Sequence, residues 1–108
     1  MTEHISTRVN SHRLAAYIGR TVRLVGKTLK IQGDTAIVEA SDGGQVEIRL
    51  PKDPPLTGTY NEIIGNVIDG STVKMLMCID LGSDLDMKLV DDMVELTHDP
   101  KFHEKMFT

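Results

Sequence analysis

Four groups of side chains have types and spacings that bear on chemistry. His98 and His103 flank Asp99, a histidine–carboxylate grouping of the kind that holds a transition metal. Pro100 interrupts the gap between the two histidines and no second ligand pair accompanies them, so the segment reads as a surface tail. Asp91, Asp92 and Glu95 resemble the paired carboxylates of acid–base catalysis, but no buried base or nucleophile goes with them. At helical spacing they read as a solvated face. Asp42-Gly43-Gly44 is rich in glycine but is not a P-loop, and hairpin geometry alone explains it. Arg23 and Lys27 are candidates for a weak phosphate contact, set against the competing reading of a solvated strand face. No catalytic residue, metal ligand or cofactor emerges, so binding is the chemistry to expect.

The charge balance says where an anion would bind. The chain has 108 residues and a formal net charge of -4, which argues against a surface that grips nucleic acid all over. Residues 1–30 carry Arg8, Arg13, Arg20, Arg23, Lys27 and Lys30 against Glu3 alone, so any anion contact should be N-terminal. Hydrophobic residues make up 40% and charged residues 26%, an ordinary globular composition for one domain. No apolar run approaches the roughly 18 residues that span a bilayer, and the first residues lack a secretory pattern, so neither membrane insertion nor export is expected. The single cysteine, Cys78, sits between Met77 and Ile79 and reads as a small buried hydrophobe in a reducing compartment.

The elements that position these residues are mostly strands. Asn10-Ser11 offers N-cap chemistry to a short helix bearing Leu14, Tyr17 and Ile18 on one face, and Gly19 is placed to end it. A long strand from Thr21 bends at Gly26. Turn residues at Gly33-Asp34 and Asp42-Gly43-Gly44 then separate the strands Thr35–Ala40 and Gln45–Leu50. In the latter, Val46, Ile48 and Leu50 alternate with Gln45, Glu47 and Arg49. Pro51, Pro54 and Pro55 make a connector, and Tyr60–Ile68 with Val73–Ile79 form a hairpin around Asp69-Gly70-Ser71. The fold class predicted is all-β: a five-stranded OB-fold Greek-key barrel with a short N-terminal helix and a C-terminal amphipathic helix. Small sandwiches and SH3-like barrels are the alternatives. The expected organisation is a barrel with its N-terminal extension over residues 1–82, an oligomerisation helix over 83–98 and a tail over 99–108.

The C-terminal helix carries the functional signal. Ser83 is placed to cap it, Asp86 stands at the capping-box position, and Asp84 can pair with Lys88. At about 100° per residue, Leu85, Leu89, Met93 and Leu96 fall within roughly 80°, and Val90, Val94 and Met87 lie at about 140° to 200°. These two apolar stripes are more than one small barrel covers. The rival reading packs both on the chain's own barrel and on Phe102, Met106 and Phe107. A partner surface is preferred, because an uncovered stripe of this size invites aggregation. The regular spacing of Leu85, Leu89, Met93 and Leu96 marks that stripe as the partner seam.

Arg8-Val9-Asn10, Tyr17–Gly26, Glu62–Val67 and His98-Asp99-Pro100-Lys101-Phe102, in this order and spacing, give the chain a resemblance across nearly its whole length. It resembles the smallest subunit of replication protein A, the replication factor A protein 3 family, part of the eukaryotic single-stranded-DNA-binding heterotrimer. The resemblance implies an OB barrel whose C-terminal helix joins one helix from each of the large and middle subunits in a three-helix bundle. It places Leu85, Leu89, Val90, Met93, Val94 and Leu96 at or beside that bundle. It also implies a structural, non-enzymatic role in DNA replication, repair and recombination in the nucleus, with single-stranded DNA held mainly by the other subunits.

The residues themselves agree that DNA binding is not this chain's strength. OB-folds that bind single strands stack bases on aromatic side chains in a basic groove. Tyr17, Tyr60, Phe102 and Phe107 are the only aromatics, and none falls in the second or third predicted strand, where Glu39 and Glu47 face outward. The alternative function is an autonomous OB module that binds single-stranded nucleic acid or a peptide directly.

Overall fold

The computed structural model describes residues 7–52, 56 and 58–98. Alternating apolar residues build the barrel. Strand β2 (Thr21–Gln32) pairs antiparallel with β3 (Thr35–Ala40), and β3 with β4 (Gln45–Arg49). Strand β5 (Tyr60–Asp69) forms a hairpin with β6 (Thr72–Gly82). A parallel β4–β6 pairing and an antiparallel β2–β5 pairing close the barrel, with order β2-β3-β4-β6-β5-β2. This is the five-stranded Greek-key connectivity of an OB-fold. Inward residues make the core: Val22 and Leu24 from β2, Val38, Val46, Ile48, Ile63, Val67, Val73 and Met75. Cys78 is only half-buried against that core, which corrects the expectation of a fully buried thiol.

Strand β2 serves two neighbours because it bends. Its first half pairs with β5 through Thr21–Lys27, its second with β3 through Gly26–Gln32, and a register shift lies between Thr28 and Lys30. Gly26 sits where the two pairings overlap, and a Cβ there would lie 2.9 Å from Val38 Cγ2. Gly65 permits a similar approach in β5, where a Cβ would run into the Lys74 carbonyl oxygen.

Three local expectations change. A sixth strand, β1 (Thr7–Val9), pairs parallel with Val22–Leu24 and puts Val9 into the core. Three residues are too few to show an alternation, so the sequence pattern passed over it. The short helix is a 3₁₀ helix, Ser11–Tyr17, with Leu14 buried but Ile18 exposed beyond its end. The C-terminal helix α1 spans Met87–Thr97, starting three residues later than the Ser83 cap implied. Its N-cap is Asp86, whose carboxylate accepts the Leu89 N–H at 3.1 Å. Ser83, Asp84 and Leu85 form the crossing segment after Gly82, which has φ +88°. Lys88 accordingly pairs with Asp92 at 3.2 Å, one turn on, rather than with Asp84.

Candidate partner-docking face

The face that α1 presents to solvent is decided by what holds its other face. Asn10 stands just before the 3₁₀ helix, but its side chain does not cap it. That role falls to Asp42, which accepts the Ser11 and His12 N–H groups at 3.2 and 3.1 Å. Asn10 is instead fully buried, and its amide donates to Asp91 Oδ1 at 2.8 Å and to Glu95 Oε2 at 2.7 Å. Arg13 adds a fork to Glu95, with Nε at 2.9 Å and a terminal nitrogen at 2.6 Å. Ser41 Oγ donates to Asp91 at 2.9 Å. Asp91 and Glu95 therefore face the barrel and are only partly exposed, which corrects the solvated-face reading for these two, whereas Asp92 is exposed as that reading has it. Helical periodicity shows that they share an arc, but not that donors wait opposite that arc.

Electrostatics follow the geometry. The Arg13 fork, aided by the Asn10 amide, lowers the Glu95 carboxyl to about 2, and Glu95 in turn raises the Arg13 pKa. Partial burial opposes the charge on Asp42, but hydrogen bonds from Ser11, His12 and Gly44 outweigh it and bring the carboxyl to about 2. His98 ends α1 and completes the fastening. Its Nε2 lies 2.8 Å from the Arg8 carbonyl oxygen, so that nitrogen must carry the proton, and its ring meets Tyr17 edge-on with centroids 6.1 Å apart. The tail reading fails for His98, while Asp99 and His103 lie outside the described residues. Among the described residues no cluster of three or more metal-ligating side chains occurs.

With that side fastened, the apolar residues divide. Val94 is 2% exposed against the barrel and Val90 is half-buried, whereas Leu89, Met93 and Leu96 are 57%, 56% and 48% exposed. Leu85, half-buried, lies in the crossing segment before the helix. Between α1 and the outer wall of the barrel runs a cavity of about 220 Å³, bounded by Val90, Met93 and Val94 on the helix and by Val25 and Leu81 on the strands. Arg8 and Glu62 also line it. Glu62 is nearly buried and accepts from Arg8 Nε at 2.9 Å and from Arg23 at 3.2 Å, so Arg23 is engaged with an acid. Sequence reasoning missed Arg8 and Glu62 because 54 residues separate them.

The surface of β3 and β4 offers little to a nucleic-acid strand. Glu39 lies opposite Gln45, Ile37 opposite Glu47 and Thr35 opposite Arg49, and Lys27 of β2 lies beside Glu39. The aromatics among the described residues are elsewhere. Tyr17 packs against the core, and Tyr60 lies between Lys27 and Gly82. The β2–β3 and β5–β6 turns are two residues long, Gly33-Asp34 and Gly70-Ser71.

Comparison with known proteins agrees with this architecture. The family model for replication factor A protein 3 matches residues 1–103. Replication factor A protein 3 of Schizosaccharomyces pombe is 33% identical over 97 residues, covering 89% of this chain and 91% of that protein. A chain in the structure of U. maydis replication protein A bound to ssDNA superimposes with a TM-score of 0.87 at 33% identity, covering 95% of this chain and 96% of that one. A chain of the S. pombe Stn1–Ten1 complex shares the fold at a TM-score of 0.70 and 12% identity, covering 90% of this chain and 95% of that one. From the length of the family match and the identity to these relatives, the chain belongs to the replication factor A protein 3 family.

Proposed function

We propose that this protein is the structural subunit of a heterotrimeric single-stranded-DNA-binding complex that serves DNA replication, repair and recombination in the nucleus. Its α1 helix packs with one helix from each of the large and middle subunits of replication protein A in a three-helix bundle. One observation carries the reading: Leu89, Met93 and Leu96 stand exposed on a helix whose opposite side is fastened to the barrel by buried polar contacts. Leu85, Val90 and Val94 support the bundle from beside and beneath that seam. Burial of several such side chains contributes on the order of 6 to 15 kcal/mol gross, against association costs of about 4 to 15 kcal/mol.

Single-stranded DNA is bound mainly by the other subunits. Membership of this family and the DNA-bound relative support a subunit of a single-stranded-DNA-binding complex, while a β3–β4 surface that sets Glu39 and Glu47 against Lys27 and Arg49 and carries no aromatic side chain argues against strong binding by this chain alone. Arg23 and Lys27 contribute at most a weak phosphate contact, since Arg23 already faces Glu62.

Replacing Leu89 and Met93 with Asp tests the bundle. Co-purification with the larger subunits is expected to disappear while the barrel keeps its circular dichroism and melting temperature. Assembly that survives both substitutions rules the proposal out. Titrating the isolated chain with an oligonucleotide at several salt concentrations tests the division of labour: micromolar affinity with a steep salt slope would favour an autonomous DNA-binding module instead.

A further inference from the structure

The exposed stripe of α1 is not the end of the apolar surface. Glu62 faces Val25 on one neighbouring strand and Ile79 on the other, and in the next row Ile64 lies between Arg23 and Met77. Paired residues share a face of the sheet, so Met77 and Ile79 lie on the outer wall that carries Glu62, and both are exposed. Leu81, two residues further along β6, lines the cavity that Met93 also lines. An outer wall of this kind ordinarily alternates to polar residues. The Met93 flank of the helix thus continues onto the barrel.

The same cavity carries charge, from Arg8 and Glu62. Two arginines share the one carboxylate of Glu62, which leaves one positive charge in excess. Arg8 uses its Nε for Glu62, and its side chain is 51% exposed. A guanidinium held by one edge is set to receive a carboxylate on its terminal nitrogens, the planar two-point pairing that arginine makes best.

We infer that one partner helix of the proposed bundle lies in the trough between α1 and β6, inserts apolar side chains against Met93, Leu81, Ile79 and Met77, and presents a carboxylate to Arg8. This rests on the bundle reading and adds an asymmetry to it: one partner touches both helix and barrel, the other the helix alone. Arg8 then serves as a partner-selecting residue, because a helix with a cation or an apolar group at that place leaves the guanidinium without its complement.

The test uses the co-expressed complex with the large and middle subunits, and measures its dissociation on dilution at several salt concentrations. Met77→Ser/Ile79→Ser adds no charge beside Glu62 and changes only exposed side chains, so the chain should melt as the wild type does. It is expected to weaken assembly by about tenfold or more. Arg8→Met should weaken assembly and flatten its salt dependence, and Arg8→Lys should retain that dependence in part. If Arg8→Met lowers the melting temperature of the isolated chain, the serine pair still decides. Wild-type affinity in the serine pair overturns the inference; if Leu89→Asp/Met93→Asp abolishes assembly in the same assay, the bundle stands without the trough. If none of these variants weakens assembly, both fall. Occupation of the trough by residues 99–108 or by a second copy would change the melting or sedimentation of the isolated serine variant without changing assembly, and would equally overturn it.

Discussion

Asn10→Ala isolates the contact that orients the helix. The wild-type amide is fully buried and donates to Asp91 and Glu95 at 2.8 and 2.7 Å. Hydrogen bonds to charged groups contribute about 1.5 to 3 kcal/mol each, so the two together set an upper bound of about 6 kcal/mol. Two features reduce it. Asp91 keeps Ser41 and Glu95 keeps the Arg13 fork, so neither carboxylate is stranded, and the Glu95 side chain is 38% exposed, where water screens it. Asn10 Oδ1 also has no hydrogen-bond partner among the described residues, and removing it relieves a cost. A net loss of about 2 to 3 kcal/mol remains, which corresponds to a fall of roughly 10 °C or more in melting temperature for a domain of this size. Calorimetry reads the stability, and amide exchange along Met87–Thr97 shows whether the helix detaches first. A double-mutant cycle with Glu95→Gln should give a coupling of about 1 kcal/mol or more. Stability within about 0.5 kcal/mol of wild type, with unchanged exchange in α1, would refute the role assigned to the amide.

Acid should loosen the same region. Glu95 and Asp42 are each lowered to about 2 in the folded chain, so the stability they contribute is present above the ordinary carboxylate range and drains away as pH falls from about 4.5 towards 2. After screening is allowed for at Glu95, the two account for about 2 to 3 kcal/mol between pH 6 and pH 2.5. Urea unfolding at several pH values measures it, and an undiminished pH slope in Asp42→Asn/Glu95→Gln would count against the assignment. Gly65→Ala should destabilise the barrel by about 2 kcal/mol or more, because the new Cβ meets the Lys74 carbonyl. Gly70→Ala, whose Cβ would meet only Ala15 at 3.6 Å, should stay within about 0.5 kcal/mol of wild type in the same melt.

The parts of the fold that could be read from sequence are those in which a face repeats. β4 alternates through Val46 and Ile48, and the glycines at 33 and 43 adopt positive φ in the turns where they were expected. The two apolar stripes of α1 were legible for the same reason. What escaped were contacts whose partners lie far apart along the chain. Asn10 looked like a helix cap because residue type and position agreed, but 81 residues separate it from Asp91. β1 offers three residues and its register, not a pattern, brings Arg8 beside Arg23. Glu62 is an outward strand residue that two arginines pair with at the cavity beneath the helix, and nothing in its own strand signals those partners.

Hydrophobicity alone leaves the orientation of α1 undecided. Each stripe offers apolar residues, Leu89 and Met93 on one side and Val90 and Val94 on the other, whose burial differs by only about one methylene per position. Rotating the helix by half a turn to bury Leu89 and Met93 would carry Asp91 and Glu95 away from the barrel. Asn10 would then stay buried with no acceptor for its amide, and Arg13 would lose its fork. An unmet buried donor costs about 1 to 3 kcal/mol, and more where charge is involved. That difference suffices to select one orientation by a factor of ten or more. The polar cluster need not add much to overall stability to have this effect, since buried polar groups often contribute specificity rather than net stabilisation. The more bulky stripe is left outward for a physical reason: the small valines fit beneath the polar contacts, and the exposed leucines and methionine are the residues with area to offer another helix.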